Sequence, residues 1–182
     1  MKLLKHELST ELIIIRYLNK YLPKSRYDVQ DDFSKSIIGL KNKDNNFINY
    51  FFQILKSKIA KNPNTVICVV PSSTIAKRSS GIRELSIKLK DHCNLSMGLQ
   101  IIQRGTDVTP QHERIGRSSY EEQYNSLYLI DVNLTKNKNI LLLDDIITSG
   151  NTLLACSNLL LKHGAKKIIC LVLGRTIESV KV

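Results

Sequence analysis

The residues best suited to chemistry lie between Ile140 and Leu154, where the sequence reads ILLLDDIITSGNTLL. Asp144 and Asp145 follow an apolar run, and a short polar turn then leads into a second apolar run. Adjacent carboxylates accept hydrogen bonds from hydroxyl groups, such as those of a sugar, or contribute to a metal site. In this segment two acidic residues are therefore followed, after two isoleucines, by an uncharged polar turn.

The polar turn has the properties of a phosphate-binding turn. Gly150 allows close approach to the backbone, successive N–H groups from Thr148 to Thr152 can point into one cup, and a helix that starts here adds its positive dipole end. Asp144 and Asp145 would repel a phosphate, so they should face neutral hydroxyls or a metal. A sugar 5-phosphate satisfies both halves of the segment. The alternative is an ordinary capping loop beside a solvated Asp pair.

The elements around this segment predict an α/β fold with a parallel sheet. The order from residue 65 is strand, helix, strand, loop, strand, helix, strand, which favours right-handed crossovers. Ligands bind such sheets beyond the carboxyl ends of the strands, and polar turns follow two of these ends, after Val70 and after Leu143. The predicted strands are 65–70, 99–103, 139–143 and 167–173, and the predicted helices are 6–22, 46–60, 82–93 and 152–163.

The segment from Ile140 resembles the phosphoribosyl diphosphate (PRPP) signature of type I phosphoribosyltransferases. That signature has four apolar residues, two acids, two apolar residues, Thr, Thr or Ser, Gly, any residue, and Thr or Ser, and this sequence matches every position. The resemblance implies that Asp144 and Asp145 bind the ribose hydroxyls. It also implies that the 5-phosphate is bound by Thr148, Ser149, Gly150, Asn151 and Thr152.

The same resemblance implies Mg²⁺ as a cofactor, bound chiefly through the diphosphate and ribose oxygens. Asp144 and Asp145 would then contribute to the metal through PRPP rather than as a dedicated protein site. In some purine-salvage members a carboxylate that handles a purine nitrogen stands at the position of Thr148. A purine acceptor is therefore less supported, and the acceptor stays unidentified.

Two further segments take roles from the resemblance. The loop after the first core strand binds diphosphate through backbone N–H groups in this family, although Pro-Ser-Ser is also an everyday turn. The matching residues are Pro71, Ser72, Ser73 and Thr74, with Lys77 and Arg78 shortly after. Residues 104–127 stand where the family has a flexible loop over the reaction centre. The candidates there to meet the leaving diphosphate are Arg104, Arg114, Arg117 and Tyr120, each of which could instead be a solvated surface residue.

Within the superfamily the chain is most similar to ComF-like proteins, over about residues 30–176. The stretch Asp32–Lys41 ends in Leu-Lys as theirs does, and Thr109–His112 is similar to their Thr-x-x-Gln segment. Their Arg-Gly-Phe-Asn-Gln motif is reduced here to Ser80–Glu84, and their N-terminal zinc-binding cysteines are absent. The implied fold is a type I phosphoribosyltransferase-like parallel sheet flanked by helices, with a small N-terminal helical hood at 1–45 and a core at 46–182. Homodimers are common in the family.

The charge of the chain suggests a second hypothesis. Lys and Arg number 27 against 16 Asp and Glu, for a net charge of +11, and residues 33–104 alone hold twelve basic and three acidic residues. A solvated basic face is one interpretation, and contact with nucleic acid is the other. The chain could then be a regulatory module that senses PRPP and binds nucleic acid in DNA uptake or defence. No apolar run approaches the roughly 20 residues of a membrane span, and the N-terminus does not resemble a signal peptide, so we expect a cytoplasmic protein.

Overall fold

A computed structural model describes residues 2–4, 12–74, 79–108 and 119–177. The strands are β1 (Lys2–Leu4), β2 (Ile13–Tyr21), β3 (Thr65–Val69), β4 (Ser96–Met97), β5 (Ile102–Arg104), β6 (Leu127–Leu129), β7 (Asn139–Ile147) and β8 (Lys167–Thr176). The helices are α1 (Asp32–Lys41), α2 (Asn45–Leu55), α3 (Gly81–Cys93), α4 (Tyr120–Asn125) and α5 (Asn151–Lys162), with a short 3₁₀ turn at Val132–Leu134.

The main sheet confirms the predicted α/β class. Its six strands lie in the order β1-β2-β8-β7-β3-β4, and every neighbouring pair is parallel except β1 with β2. Two apolar clusters cover its faces, one including residues of α5 and the other residues of α1, α2 and α3. The parallel sheet is therefore buried on both sides, as its continuous apolar strands require.

The helix predicted at 6–22 is wrong over residues 13–21, which form strand β2 instead. Residues 6–11 lie outside the described part of the chain. Ile13, Ile15 and Tyr17 alternate into the cluster on the α5 side, which is the period of a strand, and β2 pairs with β8 along most of its length. Three consecutive β-branched isoleucines favour that conformation. The described part of 1–45 therefore contributes two strands, β1 and β2, to the main sheet as well as helix α1, while the domain boundary at 45 stays a prediction.

The strand predicted at 99–103 is also wrong in its place in the fold. The parallel neighbour of β3 is the two-residue strand β4. Residues 102–104 form β5, which pairs antiparallel with β6 in a separate two-stranded sheet. Ile101 and Ile102 are buried, as an apolar run predicts, but an apolar run does not indicate which sheet its strand joins.

The helices predicted at 46–60, 82–93 and 152–163 are all present. Helices α3 and α5 lie as predicted, and α2 ends at Leu55 rather than near Ala60. Helix α1 lies in the stretch 23–46, for which no helix was predicted. Asp31 caps this helix by accepting a hydrogen bond from the Ser34 N–H. Among the described residues, no helix is long and apolar enough to cross a membrane.

Gly81 marks the closest approach of α3 to α1, and it generates the first prediction. A Cβ at this position would collide with the backbone carbonyl oxygen of Leu40. Backbone cannot move aside as the end of a flexible side chain can, so we expect Gly81→Ala to lower the free energy of unfolding by about 1–3 kcal/mol. Urea unfolding followed by circular dichroism measures the change.

The matched control is Gly105→Ala. A Cβ at Gly105 would meet its nearest neighbour, the Tyr128 ring, at 3.5 Å, which is an ordinary contact. Its stability should stay within about 0.5 kcal/mol of the wild type. Equal stability of the two variants would contradict the packing of α3 against α1.

Candidate functional site

The acidic pair lies inside strand β7 rather than after it. The strand was predicted to end at Leu143 but continues to Ile147, because β8 stays paired with it as far as Ile147 and Arg175. Successive side chains of a strand point to opposite faces of the sheet. The two carboxylates are therefore presented to different sides.

Asp144 faces the side of the sheet that α5 covers. It lines a small cavity of about 130 Å³ together with the turn that follows β7 and the first residues of α5. Its Oδ1 accepts from the backbone N–H of Asp145 at 2.8 Å. Burial raises the pKa of Asp144 well above the ordinary value, and the neighbouring charge of Asp145 raises it further, while that N–H bond and Lys41 act in the opposite direction. Its negative charge is therefore held at an energetic cost.

Asp145 faces the side covered by α1. The Nζ atom of Lys41, the last residue of α1, lies 3.5 Å from its Oδ1. Both side chains keep partial exposure, so the pair serves to place a cation beside the acidic tip more than to stabilise the fold. Sequence reasoning did not assign Lys41 to the site, because the contact joins residues far apart in the chain and no local pattern announces it.

The turn after β7 contains a glycine in a left-handed conformation. Gly150 has φ +85°, which favours glycine, and it is the N-cap residue that directly precedes α5. It has no side chain with which to cap the helix. The Asn151 N–H reaches the Ser149 hydroxyl at 3.4 Å, and the Thr148 hydroxyl lies 3.2 Å from that of Thr176. The turn is thus held at both ends while its first helical N–H groups border the cavity.

Two adjoining openings lie at this edge of the sheet. We call the 130 Å³ cavity the helix-side cavity; its lining residues are Asp144, Ile146, Ile147, Thr148, Ser149, Gly150, Thr152 and Leu153. A second opening of about 390 Å³, the turn-side pocket, is lined by Tyr21, Pro23, Lys24, Ser25, Arg26, Lys41, Asp145, Ile146, Thr148 and Thr176. Ile146 and Thr148 line both, so the two openings are direct neighbours.

The predicted diphosphate loop lies at the same edge, beside β7. The Val70 N–H bonds to the Leu143 carbonyl oxygen at 2.9 Å and continues the pairing of β3 with β7. The Ser72 carbonyl oxygen accepts from Arg104 Nε at 2.8 Å, and the Ser73 carbonyl oxygen from the Val108 N–H at 3.0 Å. In a planar trans peptide the N–H of the next residue points the opposite way, so the Ser73 and Thr74 N–H groups are directed away from those donors.

Arg104 is buried rather than solvated. Besides the Ser72 carbonyl, its guanidinium donates to the hydroxyl of Ser126 and to Gln123 Oε1. These bonds tie the diphosphate loop to the end of α4, which favours a positioning role over direct contact with a ligand. Sequence reasoning missed Gln123 and Ser126, which show no motif.

The other predicted residues divide into two groups. The Tyr120 hydroxyl accepts from Asn158 Nδ2 at 2.9 Å, and its ring stacks on that of Tyr124, so it joins α4 to α5. Lys77, Arg78, Arg114 and Arg117 lie outside the described residues.

The residues present fit a magnesium ion held mainly by a substrate. Among the residues that the structure describes, no three His, Cys, Asp or Glu side chains group as a metal site. The two carboxylates at the end of β7 suit the way Mg²⁺ binds in many phosphate sites, through one or two protein carboxylates, substrate oxygens and water.

The comparisons with known proteins agree with this site. Residues 45–181 match the family model described as the phosphoribosyl transferase domain. The match covers most of the chain, which therefore belongs to the phosphoribosyltransferase domain family. No curated protein matches the chain in sequence.

Solved structures share the fold only distantly. The PRPP amidotransferase of B. subtilis complexed with ADP and GMP is 16% identical at a TM-score of 0.45; the alignment covers 69% of this chain and 25% of that one. A hypoxanthine phosphoribosyltransferase of Staphylococcus aureus is 16% identical, with 79% and 76% covered and a TM-score of 0.41. A hypothetical protein of Neisseria gonorrhoeae with bound ppGpp is 14% identical, with 88% and 73% covered and a TM-score of 0.42. The chain thus spans a quarter of the length of the amidotransferase.

The raised pKa of Asp144 predicts that this residue lowers the stability of the fold at neutral pH. The folded protein binds the Asp144 proton more tightly than the unfolded chain does, so the free energy of unfolding falls as pH rises above about 3.9, the ordinary value for Asp. Asp144→Asn removes this cost and keeps an oxygen for the Asp145 N–H. We expect it to raise the free energy of unfolding at pH 7 by an amount on the order of 1 kcal/mol.

Urea unfolding at several pH values tests this, with Asp91→Asn as the control. Asp91 is an exposed acid beside Lys90 at the end of α3, and its replacement should leave stability nearly unchanged. The gain in Asp144→Asn should shrink as the pH falls toward about 3.9, because the unfolded chain then also takes up the proton and the difference in proton binding disappears. A variant less stable than wild type at pH 7 would contradict the account of Asp144.

Proposed function

We propose that this chain transfers the phosphoribosyl group of PRPP to an acceptor and releases diphosphate. The observation that carries the proposal is the end of β7, where Asp144, Gly150 and the start of α5 border one cavity and Asp145 faces the neighbouring pocket. That arrangement pairs hydroxyl acceptors with a phosphate cup, and its residues match the PRPP signature position by position. Membership of the phosphoribosyltransferase domain family supports the same activity.

In this proposal the ribose 5-phosphate part of PRPP binds at the helix-side cavity. The N–H groups that follow Thr148 and the dipole of α5 hold the 5-phosphate. Asp144 on the α5 side of β7 and Asp145 on the α1 side both accept hydrogen bonds from the ribose hydroxyls. Bound Mg²⁺ would neutralise charge on the diphosphate and ribose oxygens.

The diphosphate loop lies on the other side of β7 from β8, so a ribose over the acidic pair directs its diphosphate toward residues 71–74. The N–H groups of Ser72, Ser73 and Thr74 and the cations Lys77 and Arg78 are the proposed partners of the leaving group. At the anomeric carbon the bond to the diphosphate oxygen breaks, its electron pair leaves with diphosphate, and the acceptor forms the new bond. The protein acts chiefly by orientation and electrostatic stabilisation.

A second candidate retains PRPP binding without turnover. The excess of basic residues in 33–104 favours a regulatory module that senses PRPP and binds nucleic acid, and a fold of this kind does not by itself imply catalysis. If the phosphoribosyl acceptor were a nucleotide or a nucleic acid, the chain would both transfer the phosphoribosyl group and bind nucleic acid. A homodimer and a cytoplasmic location also stay predictions.

The double variant Asp144→Asn, Asp145→Asn tests the proposal, because it removes both hydroxyl acceptors from the ribose. We expect isothermal titration with Mg²⁺ and PRPP to show saturable binding for the wild type and no measurable binding for the double variant. Asp91→Asn is the control for the loss of an exposed carboxylate and should bind as the wild type does.

Diphosphate release then separates transfer from sensing. The wild type is given Mg²⁺, PRPP and a panel of bases, nucleotides and single-stranded DNA. Release that depends on one class of acceptor supports the transferase. PRPP binding without release for any of them favours the sensor, and retained PRPP affinity in the double variant removes the proposed site.

A further inference from the structure

The turn-side pocket is the one place at the candidate site that no predicted role explains. At about 390 Å³ it has the size of a site for one small molecule and is too small for a folded partner. It adjoins the helix-side cavity through Ile146 and Thr148. If PRPP occupies the helix-side cavity, the turn-side pocket borders the ribose on the α1 side of β7, and so the inference below rests on the proposed function.

The charges of this pocket are unbalanced. Its lining holds three cationic residues, Lys24, Arg26 and Lys41, and one acid, Asp145. Lys41 is taken by Asp145 at 3.5 Å. Neither of the other two forms an ion pair with an acid in the described part of the chain. Two positive charges therefore stay uncompensated around a concave surface.

The two cations lie on a turn that the fold holds in place. The Arg26 N–H bonds to the Pro23 carbonyl oxygen at 2.9 Å, which closes the turn. The residue before it, Leu22, gives its N–H to the buried hydroxyl of Ser34 and accepts from Gln30 Nε2, both at 2.9 Å. The turn is thus anchored to the first residues of α1, so its cations are presented from a fixed backbone.

The rest of the lining supplies one ring and a few hydroxyls. Tyr21 ends β2 and packs closely against Gly174 of β8, where a Cβ would lie 2.9 Å from the Tyr21 Cβ. The hydroxyls of Thr148 and Thr176, which also line the pocket, lie 3.2 Å from one another. A ligand here meets Tyr21 as well as the cations, and a neutral base would offer Lys24 and Arg26 no anionic partner.

From these observations we infer that the acceptor of the phosphoribosyl group is a small molecule bearing a carboxylate or a phosphate, which binds in the turn-side pocket through Lys24 and Arg26. Charge-assisted hydrogen bonds of this kind are about twice as strong as neutral ones, and the planar guanidinium of Arg26 suits both anions. The pocket selects the acceptor by its charge, and the helix-side cavity on the other face of β7 binds the 5-phosphate of PRPP.

Matched probes that differ in charge test the inference. The protein is first saturated with Mg²⁺ and ribose 5-phosphate, which fills the phosphate cup without offering a leaving group. Nicotinate and nicotinamide then form one pair, and uridine 5′-monophosphate and uridine the other, each titrated by calorimetry. We expect at least one anion to bind about tenfold or more tightly than its neutral partner. The pair that discriminates tells a carboxylate acceptor from a phosphate acceptor.

Variants then assign the preference to the pocket. Arg26→Gln and Lys24→Gln are expected to lower the affinity for the anion about tenfold, with affinity for Mg²⁺ and PRPP unchanged. The control is Lys35→Gln, an exposed lysine of α1 that pairs with Asp32 outside the pocket, and it should keep the preference.

The outcomes separate this inference from the proposed function. If PRPP binds but neither anion is preferred, or if the preference survives in both pocket variants, the inference is wrong and the proposed function stands. If the wild type does not bind PRPP with Mg²⁺, the proposed function fails, and the inference fails with it.

Discussion

The pairing of strand β7 determines the geometry of the site. β3 pairs with β7 only as far as Leu143, whereas β8 continues beside it to Ile147. The last residues of β7 are therefore held in register from one side and border the loop after β3 on the other. Asp144 and Asp145 lie in this stretch, which pairs with β8 on one side only. Their backbone is therefore held in register, while the carboxyl end of β7 stays open on the β3 side. A turn or a bulge in place of these residues would not hold the two carboxylates on opposite faces of the sheet.

Because the two acids face opposite sides of the sheet, the electrostatics of the site differ between the α5 side and the α1 side. Asp144 is desolvated on the α5 side, where burial raises its pKa, and the proposed phosphate cup beside it would bind through N–H groups and a helix dipole. Asp145 faces the α1 side, where Lys41 pairs with it and further cations line the pocket. The proposed chemistry thus depends on charged groups, such as the buried Asp144 carboxylate, that the fold holds in energetically unfavourable surroundings. Active sites commonly lower the stability of their fold in this way.

The sequence predicted those parts of the site that lie together in the chain. The signature from Ile140 to Leu154 identified the acids, the left-handed Gly150 and the start of α5, because strand, turn and helix follow one another within a few residues. It did not reveal Lys41 or the turn at 23–26, since these reach the site only through packing of distant elements. The N-terminal error has a similar cause. Spacing at Leu8, Leu12 and Ile15 fits a helix, and the pairing with β8 that makes residues 13–21 a strand is not visible locally.

The central claim is that the 5-phosphate of PRPP binds on the α5 side of β7, that Asp144 and Asp145 hold its ribose, and that the turn-side pocket is left for the acceptor. A crystal structure of the protein with Mg²⁺ and PRPP tests it most directly. We expect the 5-phosphate in the helix-side cavity against the N–H groups that follow Thr148, the ribose hydroxyls on Asp144 and Asp145, and the turn-side pocket open to solvent. A 5-phosphate bound by Lys24 and Arg26 in the turn-side pocket, or PRPP bound away from β7 altogether, would contradict the account.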